Sequence, residues 1–339
     1  MSELKNIVMS GIRPTGYLHL GNYFGAMRNY VRMQEEYPCY FMVADLHSLT
    51  THPDTRTLKE SVHRVLAENI ACGLDPEKVA LYCQSHVPET SELYLYFNML
   101  AYKGELEKTT TFKDKVRLQP DNVNAGLLTY PVLQTADILL HRANLVPVGK
   151  DQEQHLEMAR NFAQRFNHRY GPVFPEPQAF NYGQELVKVP SLDGAGKMSK
   201  SENQMTTLFL ADEDDLIRKK VMKAKTDQGP LTPNSVKPDY IQNLFTLMGL
   251  VSTADTVKKF EDDFNNSSEG NCIIRYGDMK KQLAEDMVQF INPIRTKAAD
   301  LQNNKDLLLK IIHQGADKAR ASASATLTTV RKAVGMEYL

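Results

Sequence analysis

The sequence is short of tryptophan, of cysteine and of net charge: it has no tryptophan in 339 residues, four cysteines and a formal charge of −1. The cysteines (Cys39, Cys72, Cys83 and Cys272) form no CxxC pair and have no histidine at zinc-ligand spacing, which argues against a metal site. Scattered cysteines, no signal peptide and no long apolar run predict a cytoplasmic protein with no membrane contact. The near-neutral charge excludes a strongly basic nucleic-acid binder, so RNA binding would need a local basic surface.

The order of apolar patterns predicts an α/β fold. Hydrophobic residues make up 42% of the chain and charged residues 24%, which are values of a globular protein with one large or two ordinary domains. Strands are predicted at 6–9, 39–44, 79–83, 145–149 and 187–192, and helical periodicity lies between most of them. Such alternation favours a parallel sheet. The alternation stops at 88–123, which is predicted to be a helical insertion. After residue 203 only helical patterns remain, at 212–226, 239–248, 254–264 and 276–334, with breaks at Pro293 and Gly315.

The turn after the first predicted strand has the features of a phosphate site. Gly11, Pro14 and Gly16 allow a tight turn that leads into a helix, and the first N–H groups of a helix attract anions. His19 lies at the start of that helix, where it could donate to a phosphate, and Gly21 leaves room for a flat ring. By itself, this stretch is as compatible with a structural turn as with nucleotide binding.

A second segment, Gly194–Ser201, places two lysines and two serines on a glycine-containing loop. Such a loop is usually a solvated turn, but Lys197 and Lys200 together suit a polyphosphate whose charge grows in a transition state. The HxGx element at 19–22 followed by KMSKS at 197–201 resembles the class I aminoacyl-tRNA synthetases. The resemblance implies a Rossmann-type parallel-sheet catalytic domain that activates an amino acid with ATP.

Asp137 is a carboxylate in the apolar run 130–140. This run is predicted to open a helix, with Pro131 in its first turn and with Gln134, Asp137 and His141 on one face. A buried carboxylate is costly without a partner, which would be either a structural group or a ligand N–H or O–H. In 150–152, Asp151 is predicted to cap the next helix, although this segment could equally hold a ribose and an amino acid.

The resemblance covers nearly the whole chain and is closest to the tryptophan branch of the family. It rests on residues 10–26, 44–50, 104–115, 125–140, 145–167 and 197–201. It implies that ATP is surrounded by Arg13, Pro14, Thr15, His19, Gly21, Asn22, Gly149, Lys150, Asp151, Val189, Lys197, Met198, Ser199, Lys200 and Ser201. For tryptophan it implies Asp137 as acceptor of the indole N–H, with Tyr130, Gln134, His47, Val146, Val148 and Gln152 around the amino acid. The catalytic residues are predicted to be His19, Lys115, Lys197 and Lys200. Lys115, a further phosphate contact, lies in a charged stretch of a kind that is more often a solvated surface.

The expected partners follow from the same resemblance. ATP is expected as a substrate, with Mg²⁺, and L-tryptophan and tRNA(Trp) as the other substrates. The catalytic domain is predicted at 1–203, with the insertion at about 88–123 and the loop at 194–203. The helical part, 204–339, is predicted to bind the tRNA anticodon. An aromatic helix at 91–102 suggests a homodimer.

Four residues depart from the pattern expected of the bacterial family. Arg13 replaces Gln, Lys150 replaces an acid, Gln134 replaces Met and Thr111 replaces Gln. Gln134 keeps a tyrosyl-tRNA synthetase open as an alternative. A synthetase-like regulator or a small-molecule adenylyltransferase would predict an incomplete phosphate loop or no RNA-binding domain. Here Lys197 and Lys200 are both present and a helical domain follows, so these two alternatives rank well below a synthetase. The lack of tryptophan suits an enzyme that loads tryptophan onto tRNA, because synthesis of the enzyme itself would then not require the charged tRNA that it produces.

Overall fold

A parallel sheet of five strands forms the centre of the computed structural model, which describes residues 6–51, 54–149, 153–182, 188–194, 196–199 and 204–338. The strands lie in the order β3-β2-β1-β4-β5. They are β1 (Val8–Ile12), β2 (Cys39–Val43), β3 (Ala80–Cys83), β4 (Leu145–Val146) and β5 (Gln178–Ala179). The chain builds outward from β1 to β3 and then returns to the other side of β1, so the carboxyl end of β1 is the point where a crevice forms.

The helices between the strands cover both faces of the sheet. Up to β5 they are α1 (Leu20–Asn22), α2 (Arg28–Met33), α3 (Asp45–Ser48), α4 (Leu58–Ala71), α5 (Glu89–Asn98), α6 (Lys103–Leu106), α7 (Thr110–Leu118), α8 (Ala125–Leu140) and α9 (Glu153–Tyr170). A π-helical turn, Tyr23–Met27, joins α1 to α2. The helices α5 to α7 form the predicted insertion. Alternate strand residues enter different cores: Val8 packs in one apolar cluster and Met9 in the other.

The second half of the chain is helical, as predicted. It contains α10 (Asp214–Met222), α11 (Asp239–Val251), α12 (Ala254–Asn265), α13 (Tyr276–Asn303) and α14 (Lys305–Ala333). These helices share the cores of the sheet, since Leu283 of α13 and Leu66 of α4 lie in one cluster. None of the described helices is long and apolar enough to cross a membrane.

The last helix, α14, crosses the edge strand β3. Ile311 belongs to the core on one face of the sheet and Ala319 to the core on the other. At the crossing, a Cβ on Gly315 would overlap the carbonyl oxygen of Leu81 and lie 2.6 Å from its carbonyl carbon. Only glycine allows this approach, which covers an otherwise exposed sheet edge.

The predicted breaks at Pro293 and Gly315 are wrong, because both residues lie inside helices and the chain breaks at Asn304. Gly315 serves the packing against β3 rather than ending a helix. Pro293 has no backbone N–H, so the carbonyl of Gln289, four residues earlier, lacks its usual donor within the helix. Gln289 is exposed and water can bond to this carbonyl, so the proline is tolerated inside α13.

Two other boundaries also differ from the predictions. The helix around Asp137 begins at Ala125, because the Asn124 side chain accepts from the N–H of Leu127, so Pro131 lies inside the helix. The strand predicted at 187–192 is absent from its described part, 188–192, where only Pro190 forms a single bridge. The fifth strand is β5 instead, which has two exposed residues and too short a pattern to detect.

Candidate active site

A cavity of about 320 Å³ lies over the carboxyl ends of β1, β2 and β4. Most of its surface is apolar, and about half of the side chains that line it carry polar groups. The lining residues are Met9, Ser10, Gly11, Arg13, Met42, Ala44, His47, Thr50, Thr111, Lys115, Tyr130, Gln134, Asp137, Ile138, Val146, Val148 and His155. A mostly apolar surface with polar groups at defined positions is the usual form of a small-molecule site.

Asp137 is the most deeply buried charged group of this cavity, with 2% of its surface exposed. Its Oδ2 lies 2.9 Å from Nε2 of His47, and Nε2 of Gln84 donates to both carboxylate oxygens at 2.9 Å. Burial raises the pKa of Asp137, and the hydrogen bond with His47 opposes that rise. A buried acceptor of this kind suits one N–H donor on an apolar ligand.

Gln84 is a site residue that the sequence analysis missed. It follows β3 directly and is completely buried. Its amide oxygen accepts from the backbone N–H of His47 at 3.2 Å while its amide nitrogen holds Asp137. Its position at the carboxyl end of a buried strand was the available signal.

His155 is a second missed residue, and it links three parts of the chain. Its Nε2 lies 2.6 Å from the Tyr130 hydroxyl and 3.0 Å from the Thr111 hydroxyl. It is buried on α9, where it belongs to the helix's packed face. His155 therefore fixes the orientation of the Tyr130 hydroxyl. The Tyr130 ring makes an edge-type contact with the His47 ring.

Two cations face the cavity beside these groups. The ammonium of Lys115 lies 3.8 Å from the centre of the Tyr130 ring. Burial, with a smaller effect of the nearby charge of Arg13, lowers the pKa of Lys115 to about 8. Arg13 donates to the Thr51 hydroxyl at 3.1 Å, while its buried Nε has no hydrogen-bond partner among the described residues. Two partly desolvated cations at the wall of a cavity suit an anionic ligand.

His19 lies outside the lining of this cavity, at the start of α1. Its backbone is held by an antiparallel bridge to Phe209, and its N–H donates to the Asn22 side chain at 3.1 Å. A Cβ on Gly21 would come within 2.8 Å of the His19 ring, so the space that Gly21 leaves is occupied by this imidazole. Pro14 is buried and Thr15 is exposed.

The described part of the lysine loop is tied to the predicted ATP residue Val189. The N–H of Met198 donates to the Val189 carbonyl at 2.8 Å, and the backbones of Lys197 and Pro190 form an isolated antiparallel β-bridge. The Met198 side chain is buried, whereas Lys197 is exposed. A Cβ on Gly21 would also lie 3.5 Å from the Met198 carbonyl, so the two predicted nucleotide motifs are neighbours.

The remaining predicted residues divide into three groups. Gln134, Val146 and Val148 line the cavity, and Gly149 directly follows that wall. Lys150, Asp151, Gln152, Lys200 and Ser201 lie outside the described residues. The spacing predicted that His141 shares a helix face with Asp137, but His141 does not line the cavity. It stacks on Tyr40 at 4.0 Å and bonds to the Tyr82 hydroxyl, and burial lowers the pKa of His141 to about 3.

The described residues contain no group of three or more His, Cys, Asp or Glu side chains that could hold a metal ion.

Comparison with known proteins gives matches over almost the full length. A family model described as "tRNA synthetases class I (W and Y)" matches residues 1–292. A tryptophan–tRNA ligase of Porphyromonas gingivalis is 56% identical over 329 residues, which cover 97% of this chain and 98% of that protein. One from Rickettsia prowazekii is 39% identical over 335 residues, with 98% and 99% covered.

Solved structures give the same result. The tryptophanyl-tRNA synthetase of Campylobacter jejuni, complexed with ADP and tryptophan, superimposes with a TM-score of 0.85 at 32% identity and covers 97% of this chain and 99% of that one. The tyrosyl-tRNA synthetase of Aeropyrum pernix has a TM-score of 0.62 at 19% identity, with 92% and 90% covered, and shares the fold alone.

Proposed function

The chain belongs to the class I tRNA synthetases for tryptophan and tyrosine, and from that premise we propose how its residues divide the chemistry. It is an aminoacyl-tRNA ligase that activates L-tryptophan with ATP and transfers it to tRNA(Trp). The first step joins the tryptophan carboxylate to the α-phosphorus of ATP and releases pyrophosphate. The second moves the tryptophanyl group to a ribose hydroxyl at the end of the tRNA and releases AMP.

The indole of tryptophan binds in the 320 Å³ cavity, and Asp137 accepts its N–H. The observation that carries this proposal is the buried carboxylate, held by Gln84 and His47 in a cavity with walls such as Met42, Ile138 and Val146. An indole has one donor on a large apolar body and therefore needs one acceptor in an apolar slot. Gln134 and Val148 complete the wall around the ring.

The polar end of the amino acid lies toward Tyr130, Lys115 and Arg13. The Tyr130 hydroxyl, oriented by His155, holds the α-amino group together with Gln152. Lys115 and Arg13 face the negative charge of the carboxylate and of the α-phosphate. These are the two anionic groups that must approach each other in the first step, so cations beside them reduce their repulsion.

ATP binds along the two motifs that the structure brings side by side. Its adenosine and phosphates are held by Pro14, Thr15, His19, Gly21, Asn22, Gly149, Lys150, Asp151, Val189 and the loop 197–201. His19 donates to a phosphate, while Lys197 and Lys200 stabilise the charge that develops on the departing pyrophosphate. ATP enters with Mg²⁺, whose preference for phosphate oxygens allows it to bind without a dedicated protein cage.

Residues 204–339 bind the anticodon end of the tRNA, and 1–203 carry the chemistry. The helical half is extensive enough for this role, although some of its basic residues are engaged within the protein. Lys318 donates to the carbonyl of Pro76, and Arg331 pairs with Glu92. The enzyme works in the cytoplasm, where tRNA is charged.

The homodimer forms through the outer side of α5 and the residues that follow it. Leu95, Met99 and Tyr102 are 56%, 74% and 65% exposed, which is unusual for large apolar side chains that are close together in the chain. Sedimentation should give a dimer at micromolar concentration, and Met99→Asp should yield a monomer. Val236→Asp, at a 93% exposed site in the helical half, should leave the dimer intact. A wild-type monomer with full activity would refute the dimer.

The catalytic assignment is tested by ATP–pyrophosphate exchange with each of the twenty amino acids. Tryptophan should support exchange far better than tyrosine or phenylalanine. Lys200→Ala and His19→Ala should each reduce the exchange rate by about 10²- to 10³-fold, by analogy with the loss of one oxyanion donor. Rates within a few-fold of wild type would remove these residues from the catalytic set.

A further inference from the structure

One short segment, residues 207–212, contacts both nucleotide motifs and is here named the bridging segment. The Thr207 hydroxyl donates to the carbonyl of Ser199 in the lysine loop at 3.0 Å. On the other side, the N–H of Leu20 donates to the Leu208 carbonyl at 3.0 Å, and the N–H of Leu210 donates to the Leu18 carbonyl at 2.8 Å. The mutual position of His19 and the lysine loop therefore depends on the shape of this segment.

A buried ion pair determines that shape. The ammonium of Lys220, on α10, lies 2.6 Å from Oδ2 of Asp212 and 2.8 Å from the carbonyl oxygen of Thr207. The same Oδ2 accepts from the N–H of Phe209 at 2.9 Å. Lys220 and Asp212 are only 2% and 7% exposed, so the pair closes the segment from within the core.

A second cation strengthens the arrangement from another helix. The guanidinium of Arg295, on α13, donates to the backbone carbonyl of Asp212 and to Oδ1 of Asp214. The start of α10 is thereby fixed relative to α13 as well as to the bridging segment. Two helices of the helical half, α10 and α13, therefore fix the bridging segment, which in turn contacts both nucleotide motifs.

Burying two charges is a poor way to gain stability, because their desolvation offsets most of their attraction. In other proteins, well-packed apolar side chains of similar size often replace a buried ion pair with no loss of stability. They could not, however, bind the Thr207 carbonyl and the Phe209 N–H in one geometry. The pair is therefore best explained by the conformation that it specifies.

We propose that Lys220 and Asp212 are positioning residues for tryptophan activation. They act through Thr207 and Phe209 to keep His19 and the lysine loop in register on the phosphates of ATP. The proposal rests on the phosphate-binding roles given above to His19 and the loop. No residue of the bridging segment lines the described tryptophan cavity, so the pair should affect the rate of adenylate formation and not the affinity for tryptophan.

The decisive variants are Thr207→Val and the double variant Lys220→Met, Asp212→Leu. Thr207→Val deletes one hydrogen bond to the loop and leaves the ion pair, and it should lower the kcat of pyrophosphate exchange by about 3- to 10-fold. The double variant removes both charges together and so avoids an unpaired buried charge, although the Thr207 carbonyl and the Phe209 N–H lose these partners. It should fold with a lower melting temperature than wild type, and kcat is compared well below that temperature. Its kcat should still fall by about tenfold or more, since the segment is no longer specified. The single variant Lys220→Met leaves a buried carboxylate unpaired and is not needed for the test.

Tryptophan affinity gives the readout that separates positioning from general damage. The protein contains no tryptophan, so indole fluorescence in a titration belongs to the ligand alone. The Kd for tryptophan should stay within twofold of wild type in both variants. Arg218→Met is the matched control, since it removes an ion pair with Glu285 from the same helix without touching the segment.

The outcomes distinguish this proposal from the one that it rests on. If His19→Ala leaves exchange unchanged, the assignment of the ATP site fails. If His19→Ala is slow while Thr207→Val and the double variant exchange at the wild-type rate, only the positioning role is overturned. A double variant that loses tryptophan affinity as strongly as kcat would overturn it too.

Discussion

Replacing Asp137 with asparagine tests the recognition of tryptophan most directly. The carboxylate is bonded to Gln84 and His47, and in the proposed complex it also accepts the indole N–H. Asparagine keeps the shape but has one acceptor oxygen and two N–H donors, so its amide cannot serve all of these groups. A hydrogen bond to a charged group contributes about 1.5–3 kcal/mol. At about 1.4 kcal/mol for each factor of ten, kcat/KM for tryptophan should fall by about 10- to 150-fold.

The assay is pyrophosphate exchange at varied tryptophan and at varied ATP. The KM for ATP should remain within about threefold of wild type, because Asp137 lines the cavity and neither His19 nor the described part of the lysine loop does. Asp45→Asn is the matched control: this carboxylate also lies at the sheet's carboxyl edge, but it binds Ser85 and does not line the cavity.

An analogue of tryptophan with sulfur in place of the indole nitrogen sharpens the test, since it has no N–H. Wild-type enzyme should discriminate against the analogue by about the factor that Asp137→Asn costs with tryptophan. The variant should discriminate much less, because the interaction is already lost. If the variant rejects the analogue as strongly as wild type does, Asp137 does not receive the indole N–H.

Two further predictions concern a titration and a glycine. Since the pKa of Lys115 is lowered to about 8, its charge disappears as pH rises through that value, so kcat/KM for ATP should fall above pH 8. Lys115→Arg should abolish this alkaline decline, and a decline that persists in that variant would exclude Lys115 as its cause. Gly315→Ala should destabilise by about 1–3 kcal/mol in chemical denaturation, since the Leu81 backbone cannot move away alone. Gly249→Ala, where a Cβ meets nothing within 4 Å, should instead be neutral or stabilising by up to about 1 kcal/mol, and equal effects of the two would refute the packing argument.

The sequence alone was sufficient wherever a local pattern decides the structure. The apolar run Cys39–Val43 was predicted as a strand, and it forms β2. The two predicted nucleotide motifs and Asp137 were also picked out from the spacing along the chain, and their roles stay predictions. The identity of the family follows from these same residues.

Tertiary structure decided what depends on contacts between distant residues. Gln84 and Asp137 are 53 positions apart, and only the parallel arrangement of the strands brings the amide onto the carboxylate. The role of Gly315 was also hidden, because a glycine in a helical pattern signals a break unless a strand backbone lies against it. Lys220 lies in the basic sequence Arg218-Lys219-Lys220, and only the folded structure shows that it is buried beside Asp212. Local patterns report backbone preference, whereas burial and pairing are properties of the assembled core, so these residues acquire their roles only in the folded chain.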